Sequence, residues 1–176
     1  MENKSSVKYI VLASLFAALT AVGAYIAVPI GPVPIVLSNL FVLLAGLLLG
    51  KKWAPASMGV YLLLGIIGLP VFSGGRSGIV TLIGPTGGFL IGFLMGAFII
   101  ALISGIGDSA IWKDILAVIA GVFVIYAIGV PWLKFNLSLD WPKAFTIGMF
   151  PFIPGDLLKA AIAVVLVKFI RPQLND

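Results

Sequence analysis

The chain has 176 residues, of which 61% are hydrophobic and only 10% charged, with a formal net charge of +5. A soluble domain needs roughly a quarter charged residues to cover its surface, so this composition excludes a soluble fold and predicts one all-α integral membrane domain over residues 1–176. Cysteine and histidine are both absent, which excludes disulfides, thiolate nucleophiles and most zinc sites and argues against an enzyme.

Apolar segments long enough to cross a bilayer, about 20 residues each, predict a bundle of six transmembrane helices. The predicted spans lie near residues 8–28, 33–50, 54–70, 87–106, 114–132 and 145–170. An even number of spans places both termini on the same side of the membrane. Most of the lysines and arginines fall on that side, so the positive-inside rule predicts that both termini are cytoplasmic.

The four tryptophans agree with this topology. Trp53 and Trp112 lie beside lysines at the predicted inner interface, and Trp132 and Trp141 flank the predicted outer loop. Tryptophan prefers the interface between lipid and water, so these positions indicate where the spans end.

The connection between the third and fourth spans, residues 71–86, is longer than a turn that only reverses the direction of the chain. Gly74 and Gly75 permit close approach of the backbone to a ligand. The guanidinium group of Arg76 can donate two parallel hydrogen bonds to a carboxylate. We interpret this segment as a lid over a small polar ligand; the alternative is that Arg76 is an exposed charge at the lipid headgroups. Thr86 either contacts the ligand or caps the helix that follows, and capping is favoured.

The last span is predicted to be broken. Pro142, Pro151 and Pro154 forbid one continuous helix between residues 133 and 155. If Pro154 opens the final helix, residues 144–153 have to cover the remaining depth as irregular or broken helix. Such backbone is tolerated in a membrane only where protein or a cavity shields it.

Asp156 and Lys159 follow at the start of this last helix. Their spacing of three residues places both side chains on one helix face, within the membrane, where ionisable groups usually mark a functional site. In the functional interpretation, Asp156 accepts hydrogen bonds from ligand N–H groups, and Lys159 either donates to a carbonyl or carboxylate of the ligand or orients Asp156. In the alternative, Asp156 complements the helix dipole and Lys159 only pairs with it.

Small residues recur at intervals of four along two spans. The glycine ladder in the fourth span is predicted to pack within the chain, and the alanine ladder in the first span either packs or docks another membrane subunit. The glycines are Gly84, Gly88, Gly92 and Gly96; the alanines are Ala13, Ala17 and Ala21. The stretch GLLLGKK at 46–52 is not a Walker A phosphate-binding loop, because it has three residues between its glycines instead of four and no Ser or Thr after the lysine. Transport driven by ATP hydrolysis would therefore require a partner protein.

Three stretches together carry a family resemblance: AALTAVGAYIAVPIGPVPIVLSNLFVLLAGLLLG, GLPVFSGGRSGIVTLIGPTGGFLIGF and FIPGDLLKA. They resemble the BioY family, the biotin-binding S components of energy-coupling-factor (ECF) transporters, over essentially the whole chain. The resemblance implies a six-helix fold in a prokaryotic cell membrane with a biotin pocket near the outer face. It implies no cofactor, and partners consisting of a transmembrane coupling subunit and two ATPases.

The resemblance also implies a site built from residues 72–88 and the start of the sixth helix. The resulting ligand-binding candidates are Asp156, Lys159, Arg76, Gly74, Gly75, Phe72, Thr86, Asn39, Tyr126 and Trp132. Small residues of the first helix dock the coupling subunit in this family, which makes Ala13, Ala17 and Ala21 the candidates for docking. The family commonly has Gln-Thr where this chain has Ser38-Asn39, so Asn39 either replaces a polar contact to the ligand or serves packing.

Four alternatives differ in what they require. An S component for another vitamin shares the fold and differs only in its pocket. A freestanding secondary carrier needs an ion-coupling residue in mid-membrane, where only Asp156 and Lys159 are available. An intramembrane enzyme would have to catalyse its reaction without histidine or cysteine. If the chain is a purely structural membrane protein, substitutions in the outer loops are expected to have no effect.

Overall fold

The computed structural model describes residues 2–105 and 110–175, with side chains for 6–105 and 110–174, and is largely helical. In chain order the elements are α1 (Glu2–Tyr25), β1 (Ala27–Val28), β2 (Ile35–Val36), α2 (Ser38–Ile66), a 3-10 turn (Ser73–Gly75), α3 (Ile79–Ile83), α4 (Gly87–Ser104), α5 (Ile111–Asn136), α6 (Trp141–Gly148) and α7 (Ile153–Asn175). The predicted end of the fourth span, residue 106, lies outside the described residues.

Within these ranges, four helices are long and apolar enough to cross a membrane: Ser6–Tyr25 of α1, and α2, α4 and α5. The pair α6–α7 makes a fifth span if the two helices, which are bent by 48°, count as one crossing. The all-helical membrane class predicted from composition is therefore confirmed, and so is the expected break before the last helix.

Helix α2 reverses direction in its middle. Gly50 has non-helical backbone angles (φ 72°, ψ 173°), a conformation that glycine adopts at little cost. Ser38 and Tyr61 line the same cavity, although an uninterrupted helix would separate them by roughly 34 Å. The chain therefore folds back at Gly50, between the two segments that were predicted as the second and third spans.

A short β-hairpin joins α1 to α2, where the sequence predicts only a turn between two spans. Ala27 pairs with Val36 and Val28 with Ile35 in antiparallel register. Three prolines and Gly31 (φ 156°) interrupt the helical pattern between the strands. As a result α1 ends at Tyr25 rather than near residue 28, and the next helix begins at Ser38 rather than near 33.

Helices α4 and α5 approach closely along the glycine ladder. A Cβ atom added at Gly88 would lie 2.2 Å from Trp132 Cβ, and one added at Gly96 would lie 2.8 Å from Ile125 Cγ1. At Gly92 the nearest atom would be Ile125 Cα, at 3.1 Å. The prediction that the glycine ladder serves packing within the chain is confirmed for Gly88, Gly92 and Gly96. Gly84 precedes α4 at the end of α3, where an added Cβ atom would meet the Val80 carbonyl oxygen at 3.1 Å rather than α5.

The alanine ladder of α1 faces the interior of the bundle. Ala13 is 5% exposed and Ala17 is 1% exposed, and both belong to the hydrophobic core, while Ala21 is partly buried. Intramolecular packing therefore occupies the first two members in this conformation. Docking of a partner through this ladder stays a prediction.

A buried ion-pair cluster ties four helix segments together at the end of the bundle away from residues 71–86. Arg171 of α7 donates to both carboxylate oxygens of Asp114 of α5, each at 2.9 Å, and to Ser104 Oγ of α4, at 2.9 Å. It also donates to the carbonyl of Leu47 at 3.0 Å. Carbonyl groups in the last turn before a helix break need another donor, and Arg171 supplies one just before Gly50.

The first turns of α1 and the last turn of α7 meet at this same end. The Lys8 side chain of α1 donates to the carbonyl of Leu174 in the last turn of α7, at 2.6 Å. The ring of Tyr9 stacks on that of Trp53, which follows the break at Gly50, with the ring centroids 6.5 Å apart. The reversal in α2, the first turns of α1 and the last turn of α7 therefore share one end of the bundle, and the predicted lid lies at the other.

Candidate ligand-binding site

The first turn of α7 carries an acid–base pair. Lys159 Nζ donates to Asp156 Oδ1 at 3.0 Å, and each residue is 8% exposed. Helix geometry explains the pairing, because residues three apart share a face, and the position of Asp156 in the first turn complements the helix dipole. The shared helix face predicted from the sequence is present, and the ion pair of the alternative interpretation forms; contact of either residue with a ligand stays a prediction.

A third polar group comes from α5. The Tyr126 hydroxyl donates to Asp156 Oδ2 at 2.5 Å, and Tyr126 is itself buried. Each carboxylate oxygen of Asp156 therefore has one protein donor. Because a carboxylate oxygen has two lone-pair sites, each oxygen can still accept a hydrogen bond from a ligand N–H group.

These residues line a cavity, which we call the acid lobe. Its polar side chains are Asn39, Tyr126, Asp156 and Lys159. The rest of its wall is apolar, formed by Val33, Pro34, Val36, Phe89, Phe93, Ile125 and Phe152. A largely apolar cavity with a few convergent polar groups is typical of a small-molecule site.

A second cavity, which we call the lid lobe, adjoins the first. The two lobes share part of the hairpin and two rings of α4, namely Val33, Pro34, Val36, Phe89 and Phe93. The lid lobe adds the predicted candidates Phe72, Arg76 and Thr86. The structure thus brings seven of the ten predicted ligand-binding residues to one continuous site: Asn39, Phe72, Arg76, Thr86, Tyr126, Asp156 and Lys159.

The other three candidates line neither lobe. Gly74 and Gly75 lie in the 3-10 turn with positive φ angles of 70° and 74°, where they shape the lid backbone around the exposed Arg76. Trp132 points its Nε1–H at the carbonyl of Gly84, at 2.9 Å. In this conformation Trp132 therefore contacts the end of the lid rather than a lobe, and ligand contact by these three residues stays a prediction.

The preference for capping by Thr86 is wrong. Thr86 occupies the N-cap position of α4, but its side chain makes no capping hydrogen bond, and its backbone angles (φ −89°, ψ −7°) are helical. A capping residue normally has extended backbone angles, which direct its oxygen back to the first helical N–H groups. The Thr86 side chain instead lines the lid lobe.

The base of the lid is fixed to the bundle. Phe72 is 1% exposed and meets Tyr61 edge-on, with ring centroids 5.5 Å apart. The Tyr25 hydroxyl donates to the carbonyl of Pro70, which joins the end of α1 to the start of the lid. Farther along the lid, the N–H group of Gly78 donates to the carbonyl of Gly65 in α2 at 2.7 Å, so the glycine-rich part is also tied to the bundle.

Apart from Phe72, the apolar wall of the site was missed by the prediction from the sequence. Val33, Pro34 and Val36 belong to the hairpin, which the segmentation divided between a turn and a span. Phe89 and Phe93 are four residues apart on α4, a spacing that places both rings on one helix face. That spacing is visible in the sequence, but only the fold shows that this face borders the acid pair.

Known proteins resemble the chain over nearly its full length. The BioY family matches residues 1–176. A protein of Thermotoga maritima named biotin transporter BioY is 42% identical over 159 residues, which cover 90% of this chain and 93% of that protein. A probable biotin transporter BioY of Pyrococcus horikoshii is 44% identical over 161 residues, covering 92% of this chain and 94% of that protein.

A solved structure shares the fold. The crystal structure of the S-component for biotin from an ECF-type ABC transporter matches with a TM-score of 0.88 and 31% sequence identity. The match covers 98% of this chain and 95% of the solved one. From the family match over the whole chain, the identity of its relatives and this shared fold, we conclude that the chain belongs to the BioY family.

Proposed function

We propose that the chain is the biotin-capture subunit of a vitamin-uptake transporter. The observation that carries the proposal is the buried group formed by Asp156, Lys159 and Tyr126 beside an apolar, aromatic-walled cavity. The names of its relatives and of the solved structure with the same fold support biotin as the ligand.

The chemistry of biotin fits the two lobes. Its cyclic urea has two N–H donors and one carbonyl acceptor, its thioether ring is apolar, and its tail ends in a carboxylate. In the acid lobe, Asp156 accepts from a urea N–H and Lys159 donates to the carbonyl, while Phe89 and Phe93 pack against the thioether ring. Arg76, at the edge of the lid lobe, is placed to pair with the carboxylate of the tail.

The membrane arrangement that we propose has six crossings in a prokaryotic cell membrane, with both termini in the cytoplasm. The reversal at Gly50 supports counting α2 as two crossings, and the bent pair α6–α7 then forms the sixth. Lys8 and Leu174 meet at one end of the bundle, as an even number requires. The basic residues favour that end as the inner one.

Transport itself requires energy from other subunits in this proposal. The chain lacks a Walker motif, so ATP hydrolysis belongs to two partner ATPases acting through a transmembrane coupling subunit. The structural relative is named as an S-component from an ECF-type ABC transporter, which supports partners of this kind. The chain's own task is to bind biotin, without a cofactor and without chemical conversion.

Titration calorimetry of biotin against the detergent-purified protein tests the proposal, beside the variants Asp156→Asn and Asp140→Asn. Asp140 is a matched control because it is an exposed carboxylate that caps α6 away from the site. We expect one-to-one binding by the unmodified protein, a loss of about hundredfold for Asp156→Asn, and little change for Asp140→Asn. No binding by folded, unmodified protein would overturn biotin as the ligand, and undiminished binding by Asp156→Asn would overturn the assigned site.

A further inference from the structure

Asn39, the second residue of α2, has a buried side-chain carbonyl oxygen that no group in the described part of the chain satisfies. It is 6% exposed, and its Oδ1 atom is buried with no hydrogen-bond partner among the described residues. Asn39 lines the acid lobe together with Asp156 and Lys159. An amide oriented in this way is expensive to bury, because the water that it loses is not replaced by a protein partner.

Neither local structure nor packing accounts for this amide. Asparagine favours the N-cap of a helix, but the N-cap of α2 is Leu37, and no side chain caps the helix. An apolar residue at position 39 would complete the wall of the lobe without the cost of an unpaired amide. Ser57 Oγ is the other buried side-chain atom without a partner in the described part of the chain, and Ser57 lines neither lobe.

We propose that the carboxamide of Asn39 recognises one edge of the cyclic urea of the ligand, while Asp156 and Lys159 recognise the other edge. This inference rests on the proposed biotin function. A primary amide matches a urea edge, because its oxygen accepts from the urea N–H while its own N–H donates to the urea carbonyl. Asp156 then accepts the second N–H and Lys159 donates to the second lone pair of the carbonyl, so every polar atom of the urea is satisfied.

The inference predicts a particular selectivity. Asn39 and Lys159 both donate to the urea carbonyl, so the site requires an acceptor at that position. In iminobiotin this carbonyl is replaced by an imine, which is protonated at neutral pH and presents donors instead. The unmodified protein should therefore prefer biotin, and the preference depends on Asn39. Asn39→Asp keeps the shape, removes the donor and adds an anion, which favours the cationic analogue.

Calorimetry with biotin, desthiobiotin and iminobiotin tests the inference in the detergent-purified full chain. Desthiobiotin keeps the cyclic urea and lacks the thioether ring. We expect Asn39→Leu to weaken biotin and desthiobiotin by the same factor, about tenfold to hundredfold. Asn39→Asp should shift the affinity ratio towards iminobiotin. Ser57→Ala is the control: it also removes a buried polar atom without a partner, but Ser57 lines neither lobe, so all three affinities should stay unchanged.

Thermal unfolding without ligand provides a second readout. Replacing an unpaired buried amide by leucine should raise the unfolding temperature of the ligand-free protein, while the stabilisation produced by biotin decreases. Undiminished biotin binding by Asn39→Leu, or an unchanged ratio in Asn39→Asp, would overturn the role of Asn39 and leave the biotin function standing. Absence of biotin binding by the unmodified protein would instead remove the proposed function on which the inference rests.

Discussion

Phe72 attaches the lid to the bundle, and one of its contacts there leaves no space for a side chain on its neighbour. Its ring lies over Gly65 of α2, where an added Cβ atom would fall 2.0 Å from Phe72 Cζ. Side-chain packing of this density leaves no room for a methyl group. The lid therefore begins at a fixed point, and residue 65 must be glycine for Phe72 to occupy its present place.

Gly65→Ala should consequently destabilise the protein by about 1–3 kcal/mol and weaken biotin binding, because Phe72 is expelled from the wall of the lid lobe. Gly59→Ala is the matched control, since it lies in the same half of α2 with nothing within 4 Å of an added Cβ atom. That change should be neutral or stabilise by up to about 1 kcal/mol. Thermal unfolding and calorimetry measure both effects; equal stability of the two variants would contradict the packing argument.

At the scale of elements, the last turns of α5 hold the far end of the lid. Trp132 Nε1 donates to the carbonyl of Gly84 at 2.9 Å, and Asn136 Nδ2 donates to the carbonyl of Ile83 at 2.7 Å. The two donors are four residues apart, so they lie on one face of α5. Pro85 follows these carbonyls and has no N–H group of its own. Residues 71–86 are thus secured at both ends, by Phe72 and by α5.

Trp132→Phe should loosen the end of the lid while keeping an aromatic ring against Gly88. We expect biotin to dissociate several-fold faster, since one lost hydrogen bond of about 1 kcal/mol corresponds to roughly a fivefold change. Trp112→Phe is the control, because Trp112 is exposed at the opposite end of the same helix. Stopped-flow displacement of labelled biotin measures the rate, and identical rates for the two variants would show that this contact does not hold the lid.

For the whole molecule, the ion-pair cluster closes the end opposite the site. Asp114 is 2% exposed and Arg171 is 8% exposed, and the pair is bidentate. Arg171 follows Asp156 on α7 by roughly 22 Å of helix. A buried pair of this kind stabilises little relative to apolar residues, but removing one partner leaves an uncompensated charge.

Asp114→Leu or Arg171→Met alone should therefore destabilise the protein by about 3–5 kcal/mol, and the combination of these two changes should recover most of that loss. Lys168→Met is the control for loss of a positive charge, because Lys168 is exposed on α7. Denaturation in detergent gives the stabilities. A combined variant as unstable as the sum of its single changes would show that the two groups act independently.

The sequence alone determined the class of the molecule and the polar pair of its site. The composition requires a membrane fold because the surplus apolar surface has to be covered by lipid. The prolines require a break before α7. Helical spacing places Asp156 and Lys159 on the same helix face. Each of these follows from neighbours along the chain or from summed composition, so no knowledge of long-range contacts was required.

Only the tertiary structure decided which residues from distant segments meet. The hairpin wall of the site, the hydrogen bond from Tyr126 to Asp156, the position of Trp132 on the lid and the unpaired amide of Asn39 all depend on contacts between different elements. The pairing of Asp114 with Arg171 has the same origin, because the sequence shows these two residues only as charges at the ends of separate spans. Local spacing cannot specify such contacts, since they are set by how whole helices pack and by which faces they bury against one another.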